Sequence, residues 1–286
     1  MGFNLLADRE KIMPRLFNAL MLLTLCSLAA SPAVFAGATL DRVNQTKVLR
    51  DVLVNDYPPF GFIDDNNQLA GFDVDVARAV AQKLGVRLEL SAPGWETIVG
   101  GKWRGRWDVC ICSMTPNAER AKVLNFPAPY YSSPAVLVVN KDEKNIKAAA
   151  DLSNKKVGVG IGSTYENYLN KSLVIPGAKP IVFPFDHVQV VPTDETVAFQ
   201  NLALGAGARL DAVVSDLATA NARIAKSDRF RIAGELYAEP NWVATDKGDA
   251  QWDQVVADTV NALRADGTLA QISRRWLGED ITRIPQ

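Results

Sequence analysis

The chain has 286 residues, with 31 Lys and Arg against 32 Asp and Glu and 48% hydrophobic residues. That near-neutral balance argues against a nucleic-acid or anionic-membrane partner. A single histidine, His187, and three cysteines argue against a metal cluster, and neither Gly-x-Ser-x-Gly nor His-Glu-x-x-His occurs, so hydrolase and zinc chemistry have no foothold and no cofactor is implied.

Residues 1–36 read as a secretory leader. Met13-Pro-Arg15 gives a basic start, Leu16–Ala30 a short apolar run, and Ser31–Ala36 a small-residue processing site, with cleavage expected after Ala36. The run is too short to span a membrane. Residues 1–12 precede this pattern with mixed charge, which makes Met13 the expected start. Cys26 follows Leu25 rather than a small residue, so a free, exported chain without a lipid anchor is expected.

Lys47–Asn55 reads as a first strand, stopped by Pro58 and Pro59; Tyr57 and Phe60 then sit in a loop where aromatics can wall a cleft. Phe72, Val76, Val80 and Leu84 recur at helical spacing, with Asp73 as the expected N-cap and Gly85 as the stop. Val86–Leu90 alternates as a second strand, and Trp95 stands at the turn into a short helix. Asp108–Ile111 reads as a buried third strand. Cys110 and Cys112 share one face of it; full extension would place their Cα atoms near the upper limit for a disulfide, so they read as small buried hydrophobes. Thr115, Pro116, Asn117 and Glu119 then read as a helix start, with Arg120 in its first turns. Free N–H groups, the hydroxyls of Ser113 and Thr115 and the Arg120 guanidinium suit a carboxylate.

Ala135–Val139 is a β-branched strand, and the charged turn Asn140–Lys147 suggests a crossing to a second α/β unit. That unit opens with Lys156–Glu166, where Gly162-Ser163-Thr164 and Glu166 resemble a glycine turn into a capped helix. Its glycine spacing misses both nucleotide-binding fingerprints. Thr196–Leu204 follows as a helix. Leu210–Asp216 is a strand that delivers an acid at its end, either to cap the next helix or to face a cation. Ala233–Lys247 reads as a return crossing, and Trp252–Leu263 and Thr268–Trp276 as amphipathic helices.

Taken together, Tyr57-Pro-Pro-Phe60, Gly71-Phe-Asp-Val-Asp75, Met114-Thr115, Glu119-Arg120, Pro129-Tyr-Tyr131, Gly162-Ser-Thr164, Leu210-Asp-Ala212 with Asp216, and Asp266-Gly-Thr-Leu269 resemble bacterial solute-binding protein family 3, the periplasmic solute-binding proteins of polar amino-acid ABC transporters. The resemblance implies an α/β, two-lobe hinged periplasmic-binding-protein fold (type II), each lobe a mainly parallel sheet flanked by helices. Residues 37–138 and 236–286 would form lobe 1 and residues 139–235 lobe 2. It implies amino-acid capture and delivery to an ABC-transporter permease in the inner membrane by a monomer, not catalysis. Arg120, Ser113 and Thr115 then look like the clamp on the ligand α-carboxylate, joined by Thr164 and Ser163 from lobe 2. Asp216 looks like the α-ammonium acceptor, and Tyr57 and Trp95 like aromatic walls. Relatives of cationic specificity often carry an acid at the position of Val54. Here Asp56 is expected to point away, and Tyr165 replaces an amide, which tilts the expected ligand towards a neutral polar or larger apolar one. The rival on the same scaffold is a periplasmic cyclohexadienyl (prephenate/arogenate) dehydratase, for which Glu166 would be the nearest proton donor.

Overall fold

The computed structural model describes residues 37–284; the expected leader and its cleavage point lie outside them. Among the described residues the strands are β1 (Val48–Val52), β2 (Asp56–Tyr57), β3 (Gly61–Ile63), β4 (Leu69–Ala70), β5 (Arg87–Ser91), β6 (Cys110–Met114), β7 (Leu124–Asn140), β8 (Lys156–Gly160), β9 (Gln189–Thr193), β10 (Ala212–Asp216) and β11 (Phe230–Asp246). The helices are α1 (Ala38–Thr46), α2 (Phe72–Leu84), α3 (Trp95–Val99), α4 (Arg120–Val123), α5 (Thr164–Leu169), α6 (Glu195–Leu202), α7 (Leu217–Lys226), α8 (Ala250–Ala265) and α9 (Thr268–Leu277).

Two strands organise the rest. β7 and β11, each 17 residues long, pair antiparallel along their lengths. Around them the sheet runs β6-β11-β7-β10-β8-β9, with β8 parallel to both β9 and β10. β1 pairs parallel with β5, and Asp51 bridges in parallel to Val109 at the start of β6. The parallel pairings thus fall in the two α/β units; the antiparallel ones involve the crossing strands β7 and β11, apart from a small separate sheet, β2-β3-β4.

The core divides in the same way. Phe60, Phe72, Val80, Tyr130, Tyr131 and Trp252 pack in one cluster, and Ala135, Leu137, Val139, Val157, Tyr168 and Val214 in another. Within β7 the change of cluster falls between Tyr131 and Ala135. The connecting residues Ser132–Pro134 lie opposite Ala238–Pro240 of β11. The crossing is therefore the paired strands themselves, not the charged turn after Asn140. Two prolines within this short pairing weaken the ladder there, since proline donates no hydrogen bond.

Three local readings need correction. α2 begins at Phe72 after Gly71, and Asp73 is not its cap. Asp73 is fully buried and accepts hydrogen bonds from Tyr130 Oη and Ser113 Oγ, each at 2.7 Å. The helix expected from Thr115 begins at Arg120 and is only four residues long; the Asn117 side chain, not that of Thr115, accepts from the Arg120 N–H at 2.8 Å. Thirdly, Cys110 and Cys112 form a disulfide, with Cα atoms 5.3 Å apart. The extended-strand argument fails because β6 is not extended there. Met114 and Cys110 face Trp242 and Ala244, so β6 carries extra residues between them, and Ser113 has a φ of 54°. That bulge shortens the span into the ordinary disulfide range.

Candidate ligand-binding site

A cavity of about 490 Å³ lies where the two α/β units meet. Arg120, Thr115, Ser113, Tyr57 and Trp95 line it from one side, and Ser163, Thr164 and Tyr165 from the other. Seven of the eight residues expected at a ligand site are thus brought together. Asp216 is the eighth and is not on the wall.

Arg120 is 5% exposed. Its Nη1 donates to the Thr115 carbonyl at 2.8 Å and its Nη2 to the Gly162 carbonyl at 2.9 Å, while Trp95 lies over the guanidinium at 5.0 Å. Burial pulls its pKa down to about 10, offset in part by Glu239. These contacts use two of the five N–H donors of the fork. Trp95 Nε1 also donates to the Gly162 carbonyl, at 3.2 Å. Gly162 receives both bonds at a φ of 67°, a left-handed conformation in which glycine carries no penalty.

Further hydrogen bonds cross the cleft. The hydroxyls of Tyr57 and Tyr165 are 3.0 Å apart, and Asn117 Nδ2 donates to Asn167 Oδ1 at 3.0 Å. The expected capped turn is present: Ser163 Oγ accepts from Glu166 N at 3.2 Å, and the Glu166 carboxylate accepts from Gly162 N at 2.7 Å. Glu166 is thereby held at the helix start rather than on the cavity wall.

The expected hydroxyl donors are engaged within the protein. Ser113 Oγ donates to Asp73, Thr115 Oγ1 to Asn241 at 3.3 Å, and Thr164 Oγ1 to Glu239. Glu239 is a wall residue that the sequence reading missed. It is 3% exposed, its pKa is raised by burial, and it lies within electrostatic reach of Arg120. An acid beside a proline in a crossing strand carries no local signal of such a role.

Asp216 caps α7, accepting from Ala218 N at 2.6 Å. Its other oxygen, Oδ2, is buried without a well-formed hydrogen bond, although the Ser133 hydroxyl lies near enough to offset part of the burial that raises the pKa to about 7. Its charge reaches Tyr57 and Tyr165, so it sits close to the cleft without opening onto it. Asp56 corrects the sequence reading in the opposite sense: it lines the cavity together with Val54. Four consecutive residues, Val54 to Tyr57, border the cavity, so Asp56 is there because the whole turn after β1 runs along the wall and not through strand alternation.

Two α/β cores joined by paired crossing strands, with a cavity at their junction walled by an arginine and aromatic side chains, define a hinged small-molecule-binding protein. The chain belongs to the bacterial extracellular solute-binding proteins, family 3, whose profile matches residues 49–279. It is 33% identical over 272 residues to the L-cystine-binding protein TcyJ of Escherichia coli (strain K12), covering 93% of this chain and 97% of that relative. Among solved structures, a mutant of ArgBP from T. maritima is similar at 33% identity and a TM-score of 0.73, covering 84% of this chain and 100% of that one. The ancestral amino acid-binding protein AncCDT-1, a precursor of cyclohexadienyl dehydratase, is similar at 31% identity and a TM-score of 0.72, covering 84% and 99%. Among the described residues no helix is long and apolar enough to cross a membrane.

Proposed function

We propose that the protein captures an amino acid or a close analogue in the periplasm by closure of its two lobes, and as a monomer delivers it to an ABC-transporter permease in the inner membrane. The observation that carries this reading is Arg120: a buried guanidinium on the cavity wall, fixed by two backbone carbonyls and an indole, with three N–H donors left for a carboxylate. Of these, the Thr115 carbonyl and Trp95 belong to the same lobe as Arg120 and hold the fork before the ligand arrives, so it loses little freedom on binding. The Gly162 carbonyl reaches it across the cleft. Thr164, the first residue of α5, lines the same cavity, and the first N–H groups of a helix have no partner within it.

In this account lobe 1 comprises residues 37–138 and 236–286 and lobe 2 residues 139–235, turning about the paired Ser132–Pro134 and Ala238–Pro240 segments. Carboxylate docking on Arg120 comes first. The α-ammonium is then accepted by Asp216, which requires the Tyr57–Tyr165 pair to part and re-form over the ligand. Closure is favoured because these contacts exist in one state only. The relatives named for cystine and arginine binding support capture rather than catalysis. Glu166, the nearest acid for a dehydratase, is taken up in capping the helix.

Cross-linking tests the closure. Asn117→Cys with Asn167→Cys places thiols where a hydrogen bond now spans the cleft, and a bound amino acid is expected to speed their oxidation to a disulfide. Equal rates with and without amino acids that bind would show that no closure accompanies capture.

A further inference from the structure

The Cys110–Cys112 disulfide adjoins the ligand site. Both cysteines are buried, at 0% and 1% exposure, in a cluster with Val52, Leu53, Ile98 and Met114, against which Trp95 packs. Cys112 nonetheless borders the cavity, and so do Ser113 and Thr115 after it. One short stretch of chain therefore carries both the disulfide and residues that face the ligand.

The backbone pairing of that stretch is thin. On the β1 side Val109 bridges Asp51, and beyond it Ile111 N donates to the Asp51 side chain, at 2.8 Å, rather than to a backbone carbonyl. On the β11 side Cys110 faces Ala244 and Met114 faces Trp242, so Ile111, Cys112 and Ser113 stand opposite Val243 alone. Ser113 N is met by another side chain, donating to Tyr130 Oη at 2.7 Å. Ser113 itself has a φ of 54°, a left-handed conformation that a serine keeps where its surroundings impose it. The disulfide is the covalent constraint on this bulge. It ties Cys110, in register with β11, to Cys112, the neighbour of the left-handed serine.

The bulge in turn positions the clamp. Ser113 Oγ donates to Asp73 at 2.7 Å, and two residues later the Thr115 carbonyl accepts from Arg120 Nη1 at 2.8 Å. A change in the path of β6 at Cys112 thus moves the carbonyl that aims the Arg120 fork. Breaking the bond forces such a change. Two thiols cannot approach as closely as two bonded sulfurs, and a close-packed interior has no room for the difference. The open space beside Cys112 is the cavity.

We propose that the Cys110–Cys112 disulfide is a positioning element of the ligand site. With the bond formed, β6 holds Ser113 and the Thr115 carbonyl so that Arg120 meets a carboxylate; with the bond reduced, the clamp loses that alignment. The proposal rests on the amino-acid reading above and goes beyond it by making capture depend on the oxidation state of two thiols. Reduction takes up two electrons and two protons: the S–S bond breaks, each sulfur becomes a thiol, and a dithiol reductant closes to its own disulfide. Coupling is reciprocal, so a ligand that binds the oxidised form more tightly also makes the bond harder to reduce. Each tenfold difference in affinity lowers the reduction potential of the liganded pair by about 30 mV.

The test compares the oxidised full chain, unfolded and refolded without reductant to remove bound ligand, with the same protein after dithiothreitol. Both cysteines lie in the tryptic peptide 107–120, whose mass reports their state. Calorimetry uses the amino acid that binds the oxidised form most tightly, at a temperature where both forms are folded. Reduction is expected to weaken binding at least about tenfold, within the range usual for coupled sites. Cys110→Ser/Cys112→Ser should bind as weakly as the reduced form and not respond to dithiothreitol. Saturating ligand should lower the potential of the pair in a dithiothreitol redox titration, which a disulfide that only adds stability would not show. Hydrogen exchange gives a readout without ligand: the Ile111 and Ser113 amides should exchange faster in the reduced form. Affinities within about twofold of each other in the two forms, a potential unmoved by ligand, or free thiols in the oxidised preparation would overturn the proposal. Failure of every amino acid to bind the oxidised form would overturn the amino-acid reading instead. Equal exchange of the two amides in both forms would then overturn the positioning role as well.

Discussion

Replacing Arg120 by alanine is the most informative perturbation of the site. The side chain is buried, two of its donors are fixed on Thr115 and Gly162, and Trp95 covers one face. Truncating one member of a buried, hydrogen-bonded charge pair costs about 2–5 kcal/mol. At about 1.4 kcal/mol per decade this raises Kd by roughly 30-fold to roughly 4,000-fold. The upper part of that range is expected, because water cannot easily replace a fork enclosed by an indole and two carbonyls. Arg120→Lys keeps the charge but cannot pair with a carboxylate through two parallel bonds, so it should fall between wild type and alanine. Both variants also lose bonds across the cleft, so the assay is titration calorimetry well below each variant's own melting temperature. Alanine binding the same amino acid within threefold of wild type would refute the assignment of Arg120 as the carboxylate clamp.

Other perturbations separate the site from its support. Gly162→Ala, at a φ of 67°, should cost about 1–2 kcal/mol in urea unfolding, the usual penalty for a side chain in the left-handed region. Tyr130→Phe removes a donor to buried Asp73 and the acceptor of the Ser113 N–H, and should lower stability by about 1–3 kcal/mol, read from the same melts. Burial raises the pKa of Asp73 and Asp216 to about 7 and of Glu195 to about 8. For such acids the folded state holds protons that the unfolded state has released, so their contribution is fully present below about pH 4 and is lost as pH rises to 8. Ligand-free protein should therefore be less stable at pH 8 than at pH 5, and Glu195→Gln should flatten the upper part of that fall.

The sequence made much of the site legible because several of its parts are local chemistry. Ser163 and Glu166 cap a short helix as their spacing requires, and Gly162 makes the turn before it. Arg120 was visible from its residue type and its place after a buried strand. Other parts depend on contacts distant in sequence. Asp73 looked like a helix cap because acids near helix starts commonly are; only the fold shows that Tyr130, 57 residues away, bonds to it. The Cys110–Cys112 disulfide required a bulge in β6 that arises from its pairing with β11. Glu239 enters the cavity because β11 crosses between the units at that point, and Asp194 faces Asp56 because α6 packs on β2. Charge brought together across a cleft leaves no trace in either segment alone.

The central claim, capture of an amino acid between two lobes, is tested most directly by a thermal-shift screen of the refolded protein against the common amino acids and L-cystine, with prephenate and arogenate included. Selective binding to the native state raises the melting temperature by mass action, by an amount that grows with ligand concentration. The account predicts a clear shift with one amino acid or a small related group, no shift with prephenate or arogenate, and no consumption of either. The absence of any amino-acid shift, together with loss of prephenate or arogenate on incubation, would contradict it.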